Sequence, residues 1–317
     1  MSTRHLVDPE LLPALDAMPP MDLAVETLPA RRAAMIEAMR AAPVPQVDGV
    51  ERSEHRAPGP AGAPEVPVFV YAPAAAKRPL PALLHIHGGG YVLGTASMYD
   101  PRYALLAAEV GCLVASVDYR LAPETRFPGA VEDCYAALKW LRTNAAALGA
   151  DPDRIAIAGE SAGGGLAAGL GLLVRDRAEV RLALQVLHYP MIDDRTCVAA
   201  DQNPVAGEFV WTRAANRFGW EALLGHAPGI DGVSPYAAAA RATDLRGLPP
   251  TYLSTSTLDL FVDENLDYAR RLMRAGVPTE MHVYPGAYHG FTMSATARVS
   301  RQYQRDYHQA LARALHG

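Results

Sequence analysis

The sequence predicts an α/β protein in which a mostly parallel sheet carries helices on both faces. Three observations predict it. Short apolar runs of strand length recur at residues 82–86, 112–119, 155–158, 182–189 and 251–257. Stretches of helix length lie between most of them, and this alternation is the pattern of parallel strands joined by crossover helices. Several runs are apolar throughout rather than alternating, as a strand buried on both sides requires. At 317 residues the chain can bury a large core, and α/β folds of this length are commonly one domain with an appendage.

Taken in order, residues 1 to about 45 read as two short helices outside the sheet. Leu28, Met35, Ile36 and Met39 fall on one face at helical spacing, with Arg31, Arg32 and Glu37 elsewhere, and Thr27 is placed as an N-cap. Such an apolar stripe must dock, and the aromatic stretch around Phe209, Trp211 and Trp220 is its expected receiver. A proline-rich segment at 42–45 leads into strands at 47–55 and 66–71, separated by the turn Ala57-Pro58-Gly59-Pro60. These form an antiparallel start to the sheet. The strand at 82–86 empties into His87-Gly88-Gly89-Gly90-Tyr91, and three consecutive glycines cost enough chain entropy to imply bare backbone held close to something. The strand at 112–119 is followed by a helix at 129–148. Asp151 to Arg154 then turn the chain into the strand at 155–158.

That strand ends in Gly159-Glu160-Ser161-Ala162-Gly163, around which the chain is organised. The glycines two residues either side of Ser161 permit a turn so sharp that the hydroxyl stands between a strand end and a helix N-terminus, where backbone N–H groups favour an anion. A small-residue helix covers 162–174. Beyond it come the strand at 182–189, an irregular aromatic stretch at about 191–236, the strand at 251–257, a helix at 263–275, a strand at 279–284 and a closing helix at about 294–315.

Composition excludes several classes. Half the residues are hydrophobic, 20% are charged and the net charge is −5, which argues against a nucleic-acid surface and for a neutral or weakly polar small molecule. The acidic, proline-containing start is no secretory signal, and the apolar helix after Ser161 is too short to span a bilayer. The expectation is a soluble, cytoplasmic protein. Cys112, Cys134 and Cys197 are odd in number and far apart, which fits reduced thiols. No metal-ligand spacing or phosphate-binding glycine pattern is present, so neither metal nor cofactor is expected.

His87-Gly88-Gly89-Gly90, Asp118-Tyr119-Arg120-Leu121-Ala122-Pro123-Glu124, Gly159-Glu160-Ser161-Ala162-Gly163-Gly164 and the late Asp259 and His289 resemble the α/β-hydrolase fold, specifically the hormone-sensitive-lipase-like carboxylesterases. The resemblance runs from about residue 45 to 315. It implies an eight-stranded sheet and a helical cap built from residues 1–45 and the insertion at about 191–236, on a catalytic domain at 46–317. It also implies cofactor-free hydrolysis of short- to medium-chain acyl esters. Leu260 stands where the family usually has proline after the triad aspartate.

An ester carbonyl needs a nucleophile, a base and donors for the developing oxyanion. Ser161 is the nucleophile. His289 sits in a glycine-flanked loop after a strand and is placed as general base and then acid, with Asp259 orienting it; the chain order Ser, Asp, His is that of α/β-hydrolases. Gly89 and Gly90 supply oxyanion donors by resemblance, and Ala162 because it follows the nucleophile. Tyr91, Tyr189, Phe209, Trp211 and Phe291 are candidates for the pocket wall, although such aromatics read equally as core. His87 reads as a hydrogen-bonding support of the glycine loop, Glu160 as a support beside the nucleophile, and Asp263 with Glu264 as acidic residues complementing a helix dipole. The expected partner is a small-molecule ester, with a homodimer left open. Hydrolysis of amides, carbamates or lactones uses the same residues. A non-catalytic receptor, as in the plant gibberellin receptors that lack the histidine, fits a chain with His289 poorly.

Overall fold

The structure, a computed structural model, describes residues 2–18, 21–41 and 47–317. Among these, eight strands form one sheet: β1 (Val50–Ala57), β2 (Val66–Pro73), β3 (Leu80–Ile86), β4 (Leu113–Val117), β5 (Ala150–Glu160), β6 (Leu184–His188), β7 (Thr251–Ser256) and β8 (Thr279–Tyr284). Their order across the sheet is β1-β2-β4-β3-β5-β6-β7-β8. β1 is antiparallel to β2 and β2 to β4, while every other neighbouring pair is parallel. The expected antiparallel start and parallel body are both present.

Side chains alternate between two cores, as strand geometry dictates. On one face Leu84, Ile86, Ala115, Ile155 and Ile157 pack with α4 (Gly129–Thr143), α6 (Ala162–Arg177) and α8 (Val262–Arg274) through residues such as Leu138, Leu166 and Leu272. On the other, Leu83, Val114, Ala156, Ala158 and Val186 pack with α3 (Asp100–Val110) and α9 (Arg298–His316) through Tyr103, Leu106, Tyr307 and Leu311. α3 has no counterpart among the expected elements. Its signals are nevertheless in the chain: Pro101 in the first turn, Gly111 closing it at φ 68°, and a buried stripe of Tyr103, Leu106, Ala107 and Val110.

The N-terminal segment forms α1 (Leu12–Ala17) and α2 (Leu28–Ala41), but its docking differs from expectation. Leu28 is buried, Met35 and Met39 are half-buried and Ile36 remains 40% exposed, so the full stripe is not the contact surface. A charged side chain does the work instead. Arg32 donates from Nε to the Val92 carbonyl at 2.8 Å and from Nη2 to the Ala122 carbonyl at 2.6 Å, and forks onto both Glu124 oxygens. Leu28 lies beside it with Val92, Ala122, Phe218 and Ala222. The Thr27 hydroxyl turns back to Ala24 rather than forward into the helix. The proline-rich segment at 42–45 lies outside the described residues.

The aromatic insertion holds α7 (Arg213–Leu224), capped by the Thr212 side chain on the Ala215 amide. Residues 2–18 meet it at Glu208, which accepts from Ser2 and Thr3, and near Phe209. Cys112, Cys134 and Cys197 are buried free thiols. Among the described residues no helix is long and apolar enough to cross a membrane.

Candidate active site

β5 carries the chain into a sharp turn at Ser161. That residue has φ 57° and ψ −121° and stands as the N-cap of α6. Its backbone is pinned on both sides, its N–H donating to the His188 carbonyl at 2.9 Å and its carbonyl accepting from Met191 and Gly165. The flanking glycines are sterically required: a Cβ on Gly159 would lie 2.1 Å from the Gly163 carbonyl oxygen, and one on Gly163 would lie 2.1 Å from that of Ile86. The strain of a non-glycine residue at positive φ thus persists because the surroundings overdetermine it.

From the ends of β7 and β8 two loops bring in the partners. His289 Nε2 lies 2.8 Å from Ser161 Oγ, and His289 Nδ1 lies 2.8 Å from Asp259 Oδ2. With the ring proton on Nδ1, the imidazole donates to the carboxylate and accepts from the serine hydroxyl. Asp259 is fully buried, and its other oxygen accepts from the Phe261 amide at 2.9 Å. Ser161 and His289 retain only 7% and 6% exposure. Leu260, at the usual proline position, is itself buried and packs against the insertion, where a Cβ on Gly207 would lie 2.6 Å from its side chain. The leucine thereby ties the acidic turn to the insertion.

The glycine loop runs beside this triad. Gly89, Gly90 and Tyr91 have consecutive φ values of 123°, 60° and 67°. Among the described residues the amides of Gly89, Gly90 and Ala162 make no hydrogen bond, which leaves them as free donors. The loop is held from several directions. His87 bonds the Gly88 carbonyl at 2.8 Å and stacks on Tyr119 at 4.3 Å, Tyr119 donates to the His87 carbonyl, and burial holds the His87 ring neutral. Trp211 presses on Gly90 so closely that a Cβ there would lie 2.0 Å from the indole, and a Cβ on Gly219 of α7 would meet the Gly90 carbonyl at 2.7 Å.

The candidate aromatics divide. Tyr189 meets the His289 ring edge-on at 4.9 Å between centroids, and Trp211 lies 6.4 Å from it. Tyr91 points away, donating to the Met191 carbonyl and packing on Trp220. Phe291 packs among Tyr189, Tyr284 and Tyr303, and Phe209 against Tyr288. Glu264 is more than a dipole complement. It is buried and accepts from the Ile192 and Asp193 amides and the Thr196 hydroxyl, clamping the start of the insertion, and desolvation pushes its pKa well up. Asp263 lies outside on the helix, accepting from Asn203. Arg32 was legible only as a residue off the apolar stripe; its reach to Val92 depends on a fold contact between positions 60 apart. Among the described residues no cluster of His, Cys, Asp or Glu could hold a metal ion.

Residues 83–293 match the family described as alpha/beta hydrolase fold. Carboxylesterase NlhH of Mycobacterium tuberculosis is 36% identical over 290 residues, covering 90% of this chain and 88% of the relative. Among solved structures, a bacterial heroin esterase superposes with a TM-score of 0.92 at 46% identity over 99% of both chains. Esterase LipW from Mycobacterium marinum gives 0.89 at 35%, covering 99% of this chain and 98% of that one. With the glycine loop and the strained serine turn in the family's order on the family's sheet, the chain belongs to the hormone-sensitive-lipase-like carboxylesterases of the α/β-hydrolase fold.

Proposed function

We propose that the chain is a serine carboxylesterase that cleaves short- to medium-chain acyl esters through an acyl-enzyme. The observation that carries this is the unbroken line Asp259–His289–Ser161, two contacts of 2.8 Å ending at the hydroxyl of a residue whose backbone is held at positive φ. Ser161 Oγ attacks the carbonyl carbon as its proton passes to His289 Nε2. The resulting imidazolium is stabilised by the buried Asp259 carboxylate. Negative charge on the carbonyl oxygen is met by the Gly89, Gly90 and Ala162 amides, donors fixed before the reaction begins. Collapse breaks the ester C–O bond, and the departing alcohol takes the proton from His289. Water then repeats the sequence on the acyl-enzyme, with His289 as base, and returns the free acid and the Ser161 hydroxyl.

In this reading residues 1–45 and the insertion at about 191–236 act as a cap on the catalytic domain. The support is their mutual contact at Glu208 and Phe218 and the closeness of Trp211 to both His289 and Gly90. The small exposure of Ser161 fits a covered site. The experiment is labelling with an organophosphate followed by peptide mass spectrometry: one adduct at Ser161, and loss of ester turnover in Ser161→Ala, are expected. An adduct at Ser254 or Ser256 with Ser161→Ala still active overturns the assignment.

A further inference from the structure

The Ser161 carbonyl accepts from the Met191 amide at 3.0 Å and from the Gly165 amide at 2.9 Å. Gly165 belongs to α6 and comes with the turn, whereas Met191 arrives from the segment that leaves β6. Met191 and Ile192 are wholly buried in that segment. The Met191 carbonyl in turn accepts from the Tyr91 hydroxyl at 2.8 Å, one residue beyond Gly90 of the glycine loop. One residue thus bonds the serine turn with its N–H and the loop of oxyanion donors with its C=O. The contact with α6 is close, since a Cβ on Gly165 would lie 2.1 Å from the same Met191 oxygen.

This segment is held from α8. Glu264 and Asn265 stand near the start of that helix, are buried, and bond the backbone on either side of Met191. Glu264 Oε1 accepts from the Ile192 amide at 2.8 Å and the Asp193 amide at 3.2 Å, Glu264 Oε2 accepts from the Thr196 hydroxyl, and Asn265 Nδ2 donates to the Pro190 carbonyl at 2.8 Å. Among the described residues those two amides have no other partner, so a buried acceptor is required exactly there. Complementing a helix dipole asks for no burial, and the exposed Asp263 already serves it. α8 also begins on the acid of the triad, because the Val262 amide bonds the Asp259 carbonyl. One helix end therefore fastens Asp259 directly, and the serine turn and glycine loop through Met191.

We propose that Glu264 is a positioning residue for Ser161, fixing the backbone around Met191 so that the nucleophile, the oxyanion donors and the triad acid stay in register. The proposal rests on the reading of Ser161 as nucleophile. The test is turnover of para-nitrophenyl acetate and the rate of Ser161 labelling by diethyl para-nitrophenyl phosphate, read beside melting temperature. Glu264→Ala strands both amides and is expected to lower kcat and labelling rate together by about ten- to hundredfold, with KM changed by less than about threefold. Glu264→Gln keeps an oxygen for the two amides and turns its NH2 to the Thr196 hydroxyl, so kcat should return to within about threefold of the wild type. Asn265→Ala should lower kcat in the same sense by about threefold or more. Arg213→Ala is the control: Arg213 holds the insertion through the Thr196 carbonyl at 2.6 Å rather than through residues 190–193, and its loss should leave kcat within about twofold. A folded Glu264→Ala with kcat and labelling rate intact, Glu264→Gln as impaired as Glu264→Ala, or an equal loss in Arg213→Ala overturns the proposal, while labelling at Ser161 leaves the hydrolase reading standing. If Glu264→Ala does not fold, Asn265→Ala decides, and an unchanged kcat there overturns the proposal. If wild-type Ser161 takes no label, the catalytic reading fails and this proposal falls with it.

Discussion

In the proposed mechanism both proton transfers depend on His289, and its surroundings separate it from the other histidines. It is held between Ser161 and Asp259 and walled by the Tyr189 and Phe261 rings, with centroids 4.9 and 5.2 Å away. His282, by contrast, lies on the edge strand β8 and pairs with Glu280. His289→Ala is therefore expected to lower kcat by several orders of magnitude, on the order of 10⁴ or more, with the protein still folded. His282→Ala should lose little turnover beyond any loss of folded protein. Steady-state kinetics beside circular dichroism would check the pair, and comparable losses in both variants would contradict the assignment. That these residues could be picked out without coordinates follows from their chemistry. Strained turns and free amides demand glycine at fixed offsets, so Gly88 to Gly90, Gly159 and Gly163 leave a mark in the chain. Walls carry no such mark, because an aromatic side chain satisfies a core and a pocket equally, and Tyr91 and Tyr189 became distinguishable only once their neighbours were known.

In the proposed mechanism, helices and loops decide whether the oxyanion donors stay in place. Three successive residues at positive φ, one of them Tyr91, are costly for a loop to hold unaided. The Arg32 latch from α2 fixes Val92 just beyond them, and it also reaches Ala122, whose amide bonds the Tyr91 carbonyl. Charge-assisted bonds of this kind contribute about 1.5–3 kcal/mol each when a partner would otherwise be stranded. Arg32→Ala is accordingly expected to lower kcat about tenfold with a smaller change in KM, and to weaken binding of a boronic-acid transition-state analogue in parallel. Arg32→Lys should recover little, since one ammonium cannot serve two carbonyls and a carboxylate together. Loss of thermal stability with kcat and analogue affinity intact would mean that the latch only tethers the helix. The apolar stripe on the same helix pointed to docking but not to its means. Periodicity reports which side of a helix is greasy, whereas a long-range contact through Arg32 has no local signature.

At the scale of the molecule, the two cores differ in character. The face covered by α4, α6 and α8 buries the uncharged Gln185 of β6 against Gly171, while the α3/α9 face carries the titratable His85 and His188 toward the carboxyl ends of its strands, with His87 just beyond β3. The strand pattern made the sheet and its order of elements legible, but not this asymmetry, which arises because single polar residues close otherwise apolar runs. All three rings have their pKa values lowered, first by desolvation; Arg102 adds to the effect at His85 and His188. A histidine whose folded pKa lies below its unfolded value contributes stability that is present above the unfolded value, near 6.5, and is lost as pH falls toward the folded one. For His85 that window runs from about 6.5 to about 3. Within it each such ring removes at most about 1.4 kcal/mol per pH unit. Urea unfolding of the wild-type protein is therefore expected to show stability falling steadily as pH is lowered from about 6.5 to about 5, before most carboxylates begin to protonate. His85→Gln cannot take up a proton, so its slope against pH should be shallower than the wild type's, whatever its stability at neutral pH. A wild-type stability that is flat or rising across that interval, or a variant with an unchanged slope, would show that the buried rings do not set the acid limit of the fold.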